Sequence, residues 1–166
     1  MDLALQENPD NGSIVHSLGN LCYNLYKSTI DDDPPKAMEY YDLAKDYFAR
    51  SRTLTNTRDE HAYFTDINMM RYRINNFSDD ETTKALLKAE KHALTFEALR
   101  VVPLERQNLL RDLIGQELPF IELSTRDQEL IRAEIMDRKA SPLLLEYYAQ
   151  SLLSYPRTKN WYRLSN

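Results

Sequence analysis

Two apolar stripes at helical spacing, separated by an acidic break that ends in proline, constrain this chain more than any other feature. After Ser13, a good N-cap, Ile14, Leu18, Leu21, Cys22 and Leu25 recur three and four residues apart and predict one buried helix face. Asp33 then supplies a second cap and Pro34 a first-turn proline. Ala37, Tyr41, Ala44 and Phe48 form the stripe of the helix that follows, to about Arg50. Gly19 lies inside the first helix, where glycine costs about 1 kcal/mol relative to alanine, so it asks for a packing reason. We expect it to face Ala37 and to let the two helix axes approach closely. The connector from Ser28 to Pro35, with Asp31-Asp32-Asp33 inside it, reads as long.

The same reading extends along the chain. With three glycines in 166 residues, many Leu, Ala, Glu, Lys and Tyr, and few β-branched runs, the composition favours an all-α chain of one domain. A third helix is expected from Arg58 to Asn75, with Phe64, Ile67, Arg71 and Ile74 inward and Tyr63 and Met70 beside them. Ser78-Asp79-Asp80-Glu81 marks the start of a fourth, running to about Val101, whose buried stripe is either Ala85, Ala89 and Ala93 or Leu86, Ala93 and Leu94. Beyond Pro103, Leu109, Leu110, Leu113 and Ile114 predict a short helix. Ser124-Thr125-Arg126-Asp127 resembles a capping box ahead of Leu130, Ile131, Ala133, Ile135 and Met136. Ser141-Pro142 opens a last helix through Leu153. Residues 2–8 read as the end of a helix stopped by Pro9, so the chain is expected to be a fragment of a longer protein.

Leu18-Gly19 and Tyr23 on the first helix, Ala37, Tyr41 and Ala44 on the second, and Tyr155-Pro156 with Trp161 and Leu164 near the end resemble the tetratricopeptide repeat (TPR). The resemblance implies antiparallel helix hairpins stacked as a right-handed solenoid, a single domain over 1–166 that is clearer over 1–100 and degenerate over 101–166. A looser resemblance rests on Ile14–Gly19, Ala37–Phe48 and His61–Met70. It is to the TPR-like arrays C-terminal to the NTPase core of STAND-type signalling and antiviral defence proteins, and it implies a sensor role.

Little in the chain points to catalysis. No Walker A loop, dinucleotide-binding glycine run, HExxH helix or paired-cysteine zinc motif occurs, and no cofactor is expected. His16, His61 and His92 fall on separate helices without metal-ligand spacing, and Asp31-Asp32-Asp33 lacks the alternation and glycine of a calcium loop. Asp59-Glu60-His61 holds an acid and a base but sits at a helix start, where such residues serve as a solvated cap. Cys22, the single cysteine, reads as a buried inert thiol and fits a reducing, cytoplasmic setting. The net charge of -5 and the absence of a dense basic stretch make nucleic acid an unlikely partner, and no apolar run approaches the roughly 20 residues of a membrane helix.

Arrays of helix pairs usually bind polypeptides along the groove lined by their first helices. His16, Asn20, Tyr23 and Asn24 lie off the apolar face of the first helix and are candidate partner-binding residues, with Thr65, Met69, Tyr72 and Arg73 on the third. In TPRs that clamp a peptide carboxylate, the resemblance places Asn20 in the clamp but puts His16 where lysine belongs. The pairs Tyr40-Tyr41 and Tyr147-Tyr148 should each hold one core and one half-exposed ring. The expected function is therefore binding of a protein or peptide rather than catalysis. The alternative is a scaffold segment that stacks against neighbouring repeats of a parent chain or mediates oligomerisation.

Overall fold

The computed structural model describes residues 6–7, 10–54, 59–102 and 125–136, together with 142, 145–146 and 148–149. Among these the chain is all-helical, without a strand: α1 (Gly12–Thr29), α2 (Pro34–Thr53), α3 (Asp59–Asn76), α4 (Glu81–Val101) and α5 (Thr125–Met136). It divides into two units, Met1–Ala98 and Leu99–Asn166. In the second unit α5 starts where the Ser124–Asp127 pattern predicts a helix, and its last residue, Met136, is 81% exposed. The helix expected at 109–114 and the Trp161 segment lie outside the described residues, as does most of the helix expected after Pro142.

In the first unit, α1 begins earlier and ends later than its sequence suggests. Its cap is Asn11 rather than Ser13, because Asn11 Oδ1 accepts the N–H groups of both Ser13 (3.0 Å) and Ile14 (3.3 Å). One carbonyl thus satisfies two of the donors that a helix start leaves open. At the other end the hydroxyls of Ser28 and Thr29 donate to the Leu25 carbonyl (3.0 and 2.6 Å) and continue the helix. Only residues 30–33 join α1 to α2, so the long connector is replaced by a tight turn in which the Asp33 N–H donates to Thr29 (2.9 Å). Asp33 then caps α2 through Lys36 N–H (3.1 Å), with Pro34 and Pro35 in the first turn.

The buried face of α1 is Val15, Leu18, Gly19, Cys22 and Tyr26. Leu18 and Cys22 of the expected stripe are inside, Ile14 and Leu25 are half-buried, and the face is turned so that Leu21 is 42% exposed. Gly19 and Tyr26 cause the shift. A Cβ at Gly19 would lie 2.6 Å from Phe48 Cε1, so this glycine makes room for the Phe48 ring rather than for Ala37. Tyr26 stacks edge-on against Tyr41 at 5.4 Å, and Ser51 Oγ donates to the Gly12 carbonyl at 3.2 Å. These contacts run in opposite directions along α1 and α2 and define an antiparallel hairpin. Ala37, Tyr41, Ala44 and Phe48 are all buried, as their spacing predicts.

The α3/α4 region is held differently, by charged groups that also tie α3 to α2. Ala62, Tyr63, Asp66, Ile67, Met69 and Met70 of α3 are buried, whereas Phe64, Arg71 and Ile74 of the expected inner face are only partly so. Asp66 is the reason. Its wholly buried carboxylate receives Lys45 Nζ (2.8 Å) and Arg52 Nη1 (2.6 Å) from α2, and Lys45 also reaches Glu90 Oε1 of α4 (2.7 Å). Tyr63 Oη donates to Glu97 Oε1 (2.7 Å) and ties α3 to α4. Asp80 caps α4 through Thr83 N–H (2.7 Å), at the start predicted from Ser78–Glu81. The stripe Ala85, Ala89 and Ala93 is exposed, and of the alternative Leu86, Ala93 and Leu94 only Leu94 is inside, with Leu86 67% exposed; Leu87, Lys91, Thr95 and Ala98 complete the buried face. A buried face that includes Lys91 and Thr95 escapes a search for apolar spacing.

Candidate functional site

The contacts between α1 and α3 set the site. His16 meets Thr65 and His61, and Tyr23 meets Tyr72, so the two helices lie side by side and parallel. They begin 47 residues apart, at Gly12 and Asp59, a longer period than the roughly 34 residues of a TPR. The ring of Tyr72 stands edge-on to both Tyr23 (6.3 Å) and Tyr26 (6.0 Å) and keys α3 onto α1. Burying Asp66 and Ile67 turns the opposite face of α3 outward. That face, with Tyr23, lines a groove of about 470 Å³ through Phe64, Thr65, Asn68, Arg71, Tyr72, Asn75 and Asn76.

Three of the eight candidate residues, Tyr23, Thr65 and Tyr72, line this groove. His16 stands at its edge with Nε2 3.3 Å from Thr65 Oγ1, and Asn20 and Asn24 lie on α1 outside the lining. Met69 and Arg73 require correction. Met69 is wholly buried and belongs to the core. Arg73 points away from the groove, its guanidinium paired in bidentate fashion with Asp79 (2.8 and 2.8 Å) and lying 4.6 Å from the Tyr41 ring centre. Both corrections follow from the rotation of α3 that Asp66 imposes. The same rotation brings in Phe64, Asn68, Arg71, Asn75 and Asn76, which sequence reasoning missed. Asn68 and Asn75 stand seven residues apart on one helix face, and that spacing was the available signal.

None of the described lining residues is acidic, although the chain carries a net charge of -5. Arg71 brings positive charge to the groove, and Lys27 lies 4.4 Å from the centre of the Tyr23 ring. Burial, with the neighbouring Tyr72 phenol, pushes the Tyr23 phenol up, and Arg71 partly offsets this. The Tyr23 hydroxyl therefore remains a protonated donor at neutral pH. Burial pushes the Cys22 thiol up as well, which suits an inert core position. Of the tyrosine pairs, Tyr41 is buried and Tyr40 half-exposed, while the Tyr147 side chain lies outside the described residues.

Among the described residues, no group of three or more His, Cys, Asp and Glu side chains is placed to share a metal ion, and no helix is long and apolar enough to cross a membrane. In comparisons with known proteins, no family model, no curated protein and no solved structure matches the chain.

Proposed function

We propose that Met1–Ala98 is a binding module that holds an extended, acidic polypeptide segment in the groove between α1 and α3, as one stretch of a TPR-like solenoid. The observation that carries this reading is the chemistry of the outer face of α3. Asn68 and Asn75 each present a carboxamide with donor and acceptor together, the same pairing that a peptide group offers. Seven residues of helix place them about 10 Å apart, the length of about three residues of extended chain. Tyr23 and Tyr72 add apolar rings with polar tips, a composition favoured where proteins anchor partners. Arg71 beside them brings positive charge, and none of the described lining residues is acidic, which favours a carboxylate-bearing segment over a basic one.

Selection from a random peptide library on the whole chain, followed by titration calorimetry, tests the reading. Enriched peptides should be rich in Asp and Glu. Arg71→Gln should weaken them about tenfold and Asn68→Ala about fivefold, within the range for lost charged and neutral hydrogen bonds. Peptides that bind equally well to both variants would sink the groove as the site.

The scaffold reading draws on one observation of its own. Ala85, Leu86, Ala89 and Ala93 lie at helical spacing on α4 and are exposed, an apolar strip of the kind that stacks on a further helix. Concentration-dependent association in analytical ultracentrifugation, abolished by Leu86→Glu, would favour it.

A further inference from the structure

We infer that the seam between α1 and α3 is a proton-sensitive joint: protonating His16, enclosed between α1, α2 and the His61 ring of α3, puts a cation into the seam and loosens the packing of the two helices. The two imidazoles come from helices 45 residues apart in sequence, and their ring centres lie 6.3 Å apart. Thr65 Oγ1 donates its proton to the His61 carbonyl (2.9 Å), so it meets His16 Nε2 (3.3 Å) as an acceptor. On its third side the His16 ring lies 5.6 Å from the Phe48 ring of α2. The histidine is thus enclosed by α1, α2 and α3, and Thr65, the residue it touches, lines the groove.

Apart from a hydrogen bond to the His61 backbone, the surroundings offer a His16 cation little compensation. Within α1 its neighbours one turn away, Gly12, Ser13, Gly19 and Asn20, are uncharged. From α2 it meets Phe48, and the ionisable residues three before and four after that ring, Lys45 and Arg52, are both committed to Asp66. From α3 it meets His61 and Thr65. Glu60, the acid next to His61, is buried and its Oε2 has no hydrogen-bond partner, but adjacent residues diverge by about 100° around a helix. Among the described residues no carboxylate forms an ion pair with either imidazole.

Burial, and then the charge of His61, holds the His16 pKa below the ordinary histidine value, with a hydrogen bond to the His61 backbone opposing them. A folded value below the unfolded one means that the unfolded chain binds the proton more readily. The stability of the neutral seam is therefore intact above the unfolded value of about 6.5 and is lost as pH falls through the folded value. Any effect on ligand affinity rests on the groove reading above, whereas the joint can be tested without a ligand.

The test is urea unfolding of the whole chain by circular dichroism at pH 7.5 and 5.5, with hydrogen exchange mapped by peptide at both. The unfolding constant should rise by up to about tenfold at the lower pH, as expected when the unfolded chain takes up a proton near pH 6.5 that the folded seam disfavours. Exchange should accelerate in α1 and α3 more than in α4. His16→Gln keeps an N–H donor for Thr65 and cannot charge, so it should reduce the change to about twofold. His61→Gln reads the same joint from the other side should the first variant fold poorly. His92→Gln, on α4, should leave the tenfold response intact. A response that survives both seam variants, or that disappears with His92→Gln, overturns the inference.

Discussion

The α1/α2 hairpin and the α3/α4 region are similar in helix length but are held by different forces. The first closes by shape: Phe48 fills the space that Gly19 leaves, Tyr26 lies against Tyr41, and the stripe Ala37, Tyr41, Ala44, Phe48 is wholly buried. The second is organised by charge: Asp66 receives Lys45 and Arg52, Arg73 clamps Asp79, and Tyr63 reaches Glu97. An interface built on shape tolerates few changes of volume, and one built on buried charge tolerates few changes of ionisation.

The largest effects should separate these two modes. Phe48→Ala empties a fully buried site and should cost about 4 kcal/mol in urea unfolding, because a cavity adds to the lost apolar burial. Asp66→Asn should cost about 3 kcal/mol, because it leaves Lys45 and Arg52 largely buried beside a neutral partner. The contrast lies in rescue. Replacing Asp66, Lys45 and Arg52 together by Leu, Met and Met should return stability to within about 1 kcal/mol of the parent, since an apolar substitute for a buried ion cluster is often neutral. If the triple variant is no better than Asp66→Asn, the second region is also held by shape and the distinction fails.

This division also explains what the sequence made legible. The α2 stripe could be read directly because its buried positions are apolar or aromatic and recur at helical spacing. On α1 the helix was evident and Leu18 and Cys22 were read as inner residues, but the turn of the face toward Val15, Gly19 and Tyr26 was not, since glycine carries no hydrophobic weight and its burial depends on a ring 29 positions away. On α3 the error had the opposite cause. Asp66 and Glu60 are inside while Phe64 is only half-buried, so polarity misled the assignment and carried Met69 and Arg73 into the candidate site. Tyr23, Thr65 and Tyr72 line the groove because they remain on the open side under either rotation. The approach of His16 to His61 could not be read at all, because it depends on which residues of α1 and α3 lie abreast.

Gly19→Ala gives a finer test of shape in the first hairpin. Alanine favours the helix by about 1 kcal/mol, but its Cβ would fall 2.6 Å from a ring that is itself fully buried. Overpacking of this kind costs about 1–3 kcal/mol, so the net change should be a loss of about 1 kcal/mol. Phe48→Leu in the same chain should make Gly19→Ala neutral or favourable, a coupling that a double-mutant cycle measures. Additive effects would mean that the ring moves aside, and that the hairpin is less tightly keyed than its geometry implies.

The smallest effects should fall at the helix starts, where the two modes no longer matter. Asn11→Ala removes one acceptor shared by two N–H groups and should cost about 1 kcal/mol, and Asp33→Ala should cost about the same at the start of α2. Ser13→Ala should stay within about 0.5 kcal/mol, because the Ser13 backbone N–H, not its hydroxyl, makes the capping bond. A larger loss at Ser13 than at Asn11 would restore the later helix start that the sequence suggests. It would also return the apolar face of α1 toward Ile14, Leu18, Leu21 and Leu25, and with that Gly19 would lose its place against Phe48.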